Sequence, residues 1–188
     1  LKGVYFKDEL KSNDLEVGKS YVINLSDEKD EEGQQNRGTH WVALHIGKLD
    51  GKIFPVYFDS YGVGPPEDIK NLVEKRFKKK INFTTKNVQS IVSDACGWFV
   101  MAWLHFINKF YNRTGNILYD TALFLDLFED LDKSTDWKKN EFILKLFFQE
   151  PGKEAKGMDK IFKDMTPDDI TKNDDKITIP IEDVELRK

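Results

Sequence analysis

The chain has 188 residues and a net charge of −4, long enough to bury one substantial core and short for two domains. Hydrophobic residues make up 39% and charged residues 33%, a balance that excludes a disordered chain, and a pI near 5.5 argues against wholesale coating of nucleic acid. The single cysteine excludes an internal disulfide and suits a reducing compartment; no stretch reaches the ~20 apolar residues of a membrane helix, and no signal-peptide pattern opens the sequence.

In chain order, Gly3 to Lys19 reads as an irregular lead-in and Ser20 to Leu25 (SYVINL) as a strand. Ser26 to Gly38 is polar and charged with no apolar anchor, the composition of a surface loop. Thr39 to Ile46 (THWVALHI) then reads as a strand with His40, Val42, Leu44 and Ile46 on one face. A turn through Leu49, Asp50 and Gly51 leads to Lys52 to Ser60, so the pair forms an antiparallel hairpin, with Pro55 expected at an edge or a bulge. Tyr61 to Pro66 breaks the pattern, and Glu67 to Lys80 is a helix whose Ile69, Leu72, Val73 and Phe77 form one stripe.

A short strand, Ile81 to Phe83, precedes the most apolar segment, Asp94 to Tyr111, which is apolar nearly all round and so reads as a buried central helix. Tyr119 to Leu131 and Trp137 to Gln149 are two further helices. The expected organisation is one domain over residues 1–150 and a polar C-terminal tail, 151–188, loosely docked on it, with Ile177 to Val184 as an extended strand. The fold class is α+β: a small antiparallel or mixed sheet packed against the central helix, with further helices around it.

The chemistry centres on Cys96, in Ser93-Asp94-Ala95-Cys96-Gly97-Trp98, where a polar approach meets the buried helix. With Ser93 or Asp94 as N-cap, the thiol lies in the first turn, where free N–H groups and the helix dipole favour a thiolate. Gly97 removes side-chain bulk beside the sulfur and lets a substrate backbone approach. The nucleophile needs a base. Of three histidines, His105 lies well inside the apolar helix and His45 on the opposite strand face, whereas His40 opens a strand after a loop, at the rim of a cleft.

Asp59 closes the strand that pairs with the one His40 opens, so the hairpin brings it to the imidazole as the orienting acceptor; the competing reading is that Asp59 starts the turn after it. The Cys96 N–H is one candidate oxyanion donor and the side-chain amide of Gln89, in the connecting loop, can supply a second, although a loop Gln alone carries no such signal; Trp41, beside the base, is the candidate for a cleft wall.

Gly38-Thr39-His40-Trp41-Val42, then Tyr57-Phe58-Asp59-Ser60-Tyr61-Gly62 with Pro65-Pro66, then Gln89 followed by Asp94-Ala95-Cys96-Gly97, resemble the adenovirus-type maturation proteases. They are similar also to proteases of Polinton/Maverick elements and virophages, and more distantly to the SUMO and NEDD8 proteases. The match spans roughly residues 3–110, in the order His, Asp, Gln, Cys, whereas papain-like enzymes run Cys first.

The resemblance implies a cysteine endopeptidase with His40 as base, Asp59 as orienter, Cys96 as nucleophile and Gln89 at the oxyanion. It would cut capsid or other structural precursors during particle maturation, in the virion and in the host cytoplasm or viral factory, as a monomer with neither cofactor nor metal. Two departures stand out. The adenovirus enzyme has Glu where this chain has Asp59, and its activating peptide is disulfide-linked to a second cysteine, which this chain lacks. DNA as a partner has weak support, because the one basic cluster (Lys75, Arg76, Lys78, Lys79, Lys80) reads as a solvated helix face. The alternatives are an isopeptidase that removes ubiquitin-like modifiers and a catalytically inactive binding module.

Overall fold

The computed structural model describes residues 1–148 other than 37, together with residues 177–178. Six strands, β1 (Gly3–Phe6), β2 (Ser20–Asn24), β3 (Trp41–Leu49), β4 (Lys52–Phe58), β5 (Asn82–Thr84) and β6 (Ile177–Thr178), form one sheet in that order. The sheet is mixed: β1 runs parallel to β2 and β4 parallel to β5, and the other neighbours are antiparallel. Among the described residues four α-helices accompany it, α1 (Glu67–Phe77), α2 (Cys96–Thr114), α3 (Ile117–Asp126) and α4 (Trp137–Leu146). The protein is therefore α+β, as its pattern of apolar residues predicts.

Strand alternation sorts the core into two layers. On one face Tyr21, Ile23, Val42, Leu44, Ile46 and Tyr57 pack against Ile69 and Val73 of α1 and against Leu10 and Leu15. On the other, Val22, Ala43, Phe54, Val56 and Phe58 pack against α2, α3 and α4. The second layer is largely aromatic: Phe58 stacks on Trp103 with centroids 5.2 Å apart, and Phe124 meets Phe58, Phe106, Phe128 and Phe147. Such pairs add about 0.5–1.5 kcal/mol each beyond their buried area, and they fix the height at which α2 lies across the sheet.

Three expectations change. Gly3 to Phe6 is a strand, because its backbone finds β2 as a partner, a pairing with no local signature. The central helix is not buried all round: Trp98, Met101, His105 and Asn108 form an exposed stripe, so two large apolar side chains of α2 face solvent. Pro55 lies inside a strand with neighbours on both sides. The alternation of the β3–β4 ladder explains the exception. Ile46, opposite Pro55, spends its own N–H and C=O on Lys19 and Gly18, away from β4. The N–H that proline lacks would point away from β3, and pairing with β5 begins only at Val56.

The helix ends differ from those the apolar periodicity suggests. α1 stops at Phe77 because Lys78 turns left-handed, with φ of 55°. α3 starts at Ile117, where Asn116 caps it by accepting from the N–H groups of Leu118 and Tyr119. At the C-terminal end, Ile177 and Thr178 pair with β5; the rest of the expected extended strand, 179–184, and most of the polar tail, 151–176 and 185–188, fall outside the described residues.

Candidate active site

The β3–β4 hairpin turns through Asp50 and Gly51, both with positive φ (48° and 80°), the geometry of a two-residue hairpin turn. Its register runs to Ala43 opposite Phe58. Just beyond that pair, at the open end of the hairpin, the chain places His40 and Asp59 side by side: His40 Nε2 donates to Asp59 Oδ1 at 2.9 Å. The Asp59 side chain is 2% exposed and that of His40 16%.

Asp59 also begins the turn that follows. Its Oδ1 accepts from the Tyr61 N–H at 2.8 Å and its carbonyl from the Gly62 N–H at 3.0 Å. The two readings of this residue are thus compatible: the turn holds the carboxylate and the carboxylate holds the imidazole. Thr84 of β5 anchors the same residue, its hydroxyl accepting from the Asp59 N–H at 3.0 Å and donating to the Asp59 carbonyl at 3.1 Å. Gly62, with φ of 70°, closes the turn against the backbone of Thr85, where a Cβ would come within 2.5 Å of a carbonyl oxygen. No other residue fits there.

Cys96 is the first residue of α2 and is 8% exposed. Ala95 occupies the cap position, since its carbonyl accepts from the Phe99 N–H. This corrects the expected N-cap at Ser93 or Asp94: the Ser93 hydroxyl turns instead to Glu141 of α4, at 2.6 Å. An alanine has no side-chain oxygen to spend on the first turn, so the helix N-terminus keeps its donors for the sulfur. With Nε2 bound to Asp59, the other ring nitrogen of His40 is left for the thiol.

The electrostatics follow from these contacts. Burial works against an imidazolium, yet the hydrogen bonds to Asp59 and Cys96, and the charges on both, outweigh it and bring His40 up to about 9. Burial likewise works against a thiolate, and is outweighed by the hydrogen bond from His40, the Trp41 N–H, the charge on His40 and the Gly97 N–H, so the Cys96 thiol lies below its usual range. A raised base beside a lowered acid means that each partner favours the charged form of the other.

Gln89 is 1% exposed and fully bonded. Its Oε1 accepts from the Ser60 hydroxyl at 2.6 Å, and its Nε2 donates to the Ser93 carbonyl at 2.6 Å and to the Tyr61 hydroxyl at 3.2 Å. It thus braces the loop leading to Cys96. Trp41 is half-buried over the first turn of α2: a Cβ built on Gly97 would meet its indole at 3.7 and 3.9 Å. The bare Cα of Gly97 leaves room of about a methyl group there.

The other histidines lie elsewhere. His45 is buried in β3, 2.8 Å from the Ser20 hydroxyl, and burial depresses it to about 4; His105 is on the exposed stripe of α2. Among the described residues no group of three or more His, Cys, Asp or Glu could hold a metal, and no helix is long and apolar enough to cross a membrane.

Sequence reasoning passed over Ser60, Tyr61 and Thr84. Carried three residues past the Ala43–Phe58 pair, the hairpin register aligns Tyr61 with His40, and the two rings do stack, with centroids 4.8 Å apart and planes 29° from parallel. That signal was present in the hairpin. The roles of Ser60 and Thr84 depend on partners 29 and 25 residues away, for which no local pattern exists. Compared with protein-family models and with curated proteins, the chain matches none.

Proposed function

We propose that this protein is a cysteine endopeptidase. The observation that carries the reading is the single chain of contacts from Asp59 through His40 to Cys96, with the thiol at a helix start and its acidity enhanced. Cys96 thiolate attacks the scissile carbonyl carbon, forming the S–C bond while the carbonyl π electrons move to oxygen. The oxyanion develops beside the N–H groups of the α2 first turn. His40 passes a proton to the leaving amine as the C–N bond breaks, then takes one from the water that hydrolyses the thioester.

Gln89 takes part as an oxyanion donor by turning one Nε2 hydrogen from the Tyr61 hydroxyl, its longer bond, toward the substrate oxygen. A polypeptide substrate suits the surroundings. A groove of about 540 Å³ runs alongside the first turn of α2, with Ala95, Trp98, Leu144 and Phe148 as its apolar lining.

The substrates we propose are capsid or other structural precursors of a virus or virophage, cut during particle maturation in the virion and host-cell cytoplasm. The resemblance carried by Gly38 to Val42, Tyr57 to Gly62 and Asp94 to Gly97 supports this. The test compares candidate precursors and a panel of fluorogenic ubiquitin-like modifiers as substrates of the wild type and Cys96→Ala. Precursor cleavage that falls by about 10³-fold or more in Cys96→Ala is expected. Undiminished cleavage by Cys96→Ala would remove the assignment, and modifier release without precursor cleavage would make the protein an isopeptidase.

A further inference from the structure

The two ends of the Gln89 amide are held in different ways. Its Oε1 accepts from the Ser60 hydroxyl, and the Ser60 carbonyl takes the N–H groups of Val88 and Gln89, at 2.8 and 3.1 Å. The Nε2 end, which the proposed chemistry turns to the substrate, hangs on the Ser93 carbonyl at 2.6 Å. Ser93 belongs to the loop between Gln89 and α2, where Ile91 and Val92 are both largely exposed and add little packing to hold it. Inside that loop the Ser93 N–H donates to the Ser90 carbonyl at 3.0 Å and the Val92 N–H to the Ser90 hydroxyl at 3.4 Å, bonds that shape the turn without tying it to the sheet or the helices. The tie is Glu141 of α4. Its Oε1 accepts from the Ser93 hydroxyl at 2.6 Å, the length of a hydroxyl bond to a carboxylate.

Resting on the protease reading, we propose that Glu141 is a positioning residue for the oxyanion: it fixes Ser93, whose carbonyl in turn aims the Gln89 amide. α4 grips the chain on both sides of Gln89, since the neighbouring Asn140 donates to the Val88 carbonyl at 2.9 Å. The two grips differ in kind. Asn140 is fully buried, and its bonds satisfy backbone groups of the core. Ser93 and Glu141 are only partly buried and both face the groove beside the first turn of α2. Water replaces a partner lost at such a place, so the bond adds little to stability.

What it adds is a single position for the Ser93 carbonyl. The Nε2 hydrogen that turns to the substrate oxygen is the one on the longer bond, so the Ser93 bond is the pivot of that turn. An oxyanion donor acts by being aimed before the charge develops. A pivot free to move by about 1 Å would carry the amide with it and lose that aim.

The test uses the full chain with Glu141→Ala, Ser93→Ala, the two together, and Glu141→Gln, which keeps the accepting oxygen. Two readouts need no substrate: the side-chain amide signals of Gln89 in the NMR spectrum, and the rate of iodoacetamide alkylation of Cys96, a displacement that develops no oxyanion. In the wild type the Gln89 hydrogen on the Ser93 carbonyl should lie downfield and exchange slowly with water. Glu141→Ala should move it toward a solvated amide, with alkylation unchanged and the thermal midpoint within about 3 °C. On a peptide the wild type cleaves, Glu141→Ala should lower kcat about tenfold with KM within about twofold. Ser93→Ala should do the same, and the double variant should fall no further, because both changes break one bond. Glu141→Gln should bring kcat back to within about threefold of the wild type.

Wild-type Gln89 signals or a wild-type kcat in Glu141→Ala overturn the role. So does a double variant that loses the product of the two single effects, or a Glu141→Gln as slow as Glu141→Ala. Slowed alkylation would put the effect on Cys96 itself and overturn it equally. The Gln89 signals decide whether Glu141 aims the amide even if no peptide is cut, and the protease reading is decided separately by Cys96→Ala.

Discussion

Gly97 follows Cys96 and faces the indole of Trp41, and the space above its Cα is as telling as any side chain in the site. A methyl there would meet Trp41 at ordinary contact distance, 3.7 Å, without clash. Within a helical turn alanine is also the better residue, by about 0.5–1 kcal/mol. Folding alone would therefore accept Gly97→Ala. If the gap instead admits the backbone of a polypeptide, the substitution should leave the thermal midpoint equal or higher while KM for a cleaved peptide rises about tenfold, because the methyl occupies the near-attack position. Steady-state kinetics beside a melting curve decide it: an unchanged KM would mean the gap has no part in substrate binding.

At the scale of elements, the site depends on how α4 is tied to the loop carrying Gln89. Asn140 of α4 is fully buried; its Nδ2 donates to the carbonyls of Val88 and Glu129 and its Oδ1 accepts from the Glu129 N–H. One side chain thus satisfies three backbone groups from two segments. Lys86 reinforces the same junction by donating to the carbonyls of Leu125 and Phe128 at the end of α3. Asn140→Ala leaves those groups without their partner, and should cost about 2–3 kcal/mol in denaturant unfolding. A loss below about 0.5 kcal/mol would place the junction's strength elsewhere. Nothing in the local sequence marks Asn140, a polar residue in an amphipathic helix, as different from its exposed neighbours.

For the molecule as a whole, the groups of the proposed chemistry come from β3, β4 and α2 and the loops beside them, whereas the described residues beyond 148 form a two-residue pairing, β6, at the outer edge of β5. A chain ended after residue 150 should therefore keep its proposed activity within about threefold while losing several degrees of thermal midpoint, since that edge of β5 is left unpaired. Calorimetry and a cleavage assay on the shortened chain measure both. A folded, inactive product would show that the C-terminal segment takes part in the site.

The sequence by itself determined the α+β class, the β3–β4 hairpin and the position of Cys96 at the start of the central helix. Each is a local signal: period-2 alternation around Asp50-Gly51, and a polar approach ending at Cys96 before an apolar run. The approach of Asp59 to His40 was also legible, since a hairpin's ends must meet. Tertiary structure alone decided how the groups are held. The Thr84 clamp on Asp59 and the Ser60 and Ser93 bonds to Gln89 join separate segments, and so does the seat of α2 on the aromatic layer. Such contacts follow from which surfaces bury together. Burial is a property of the assembled layers, and no residue's immediate neighbours in the chain encode it.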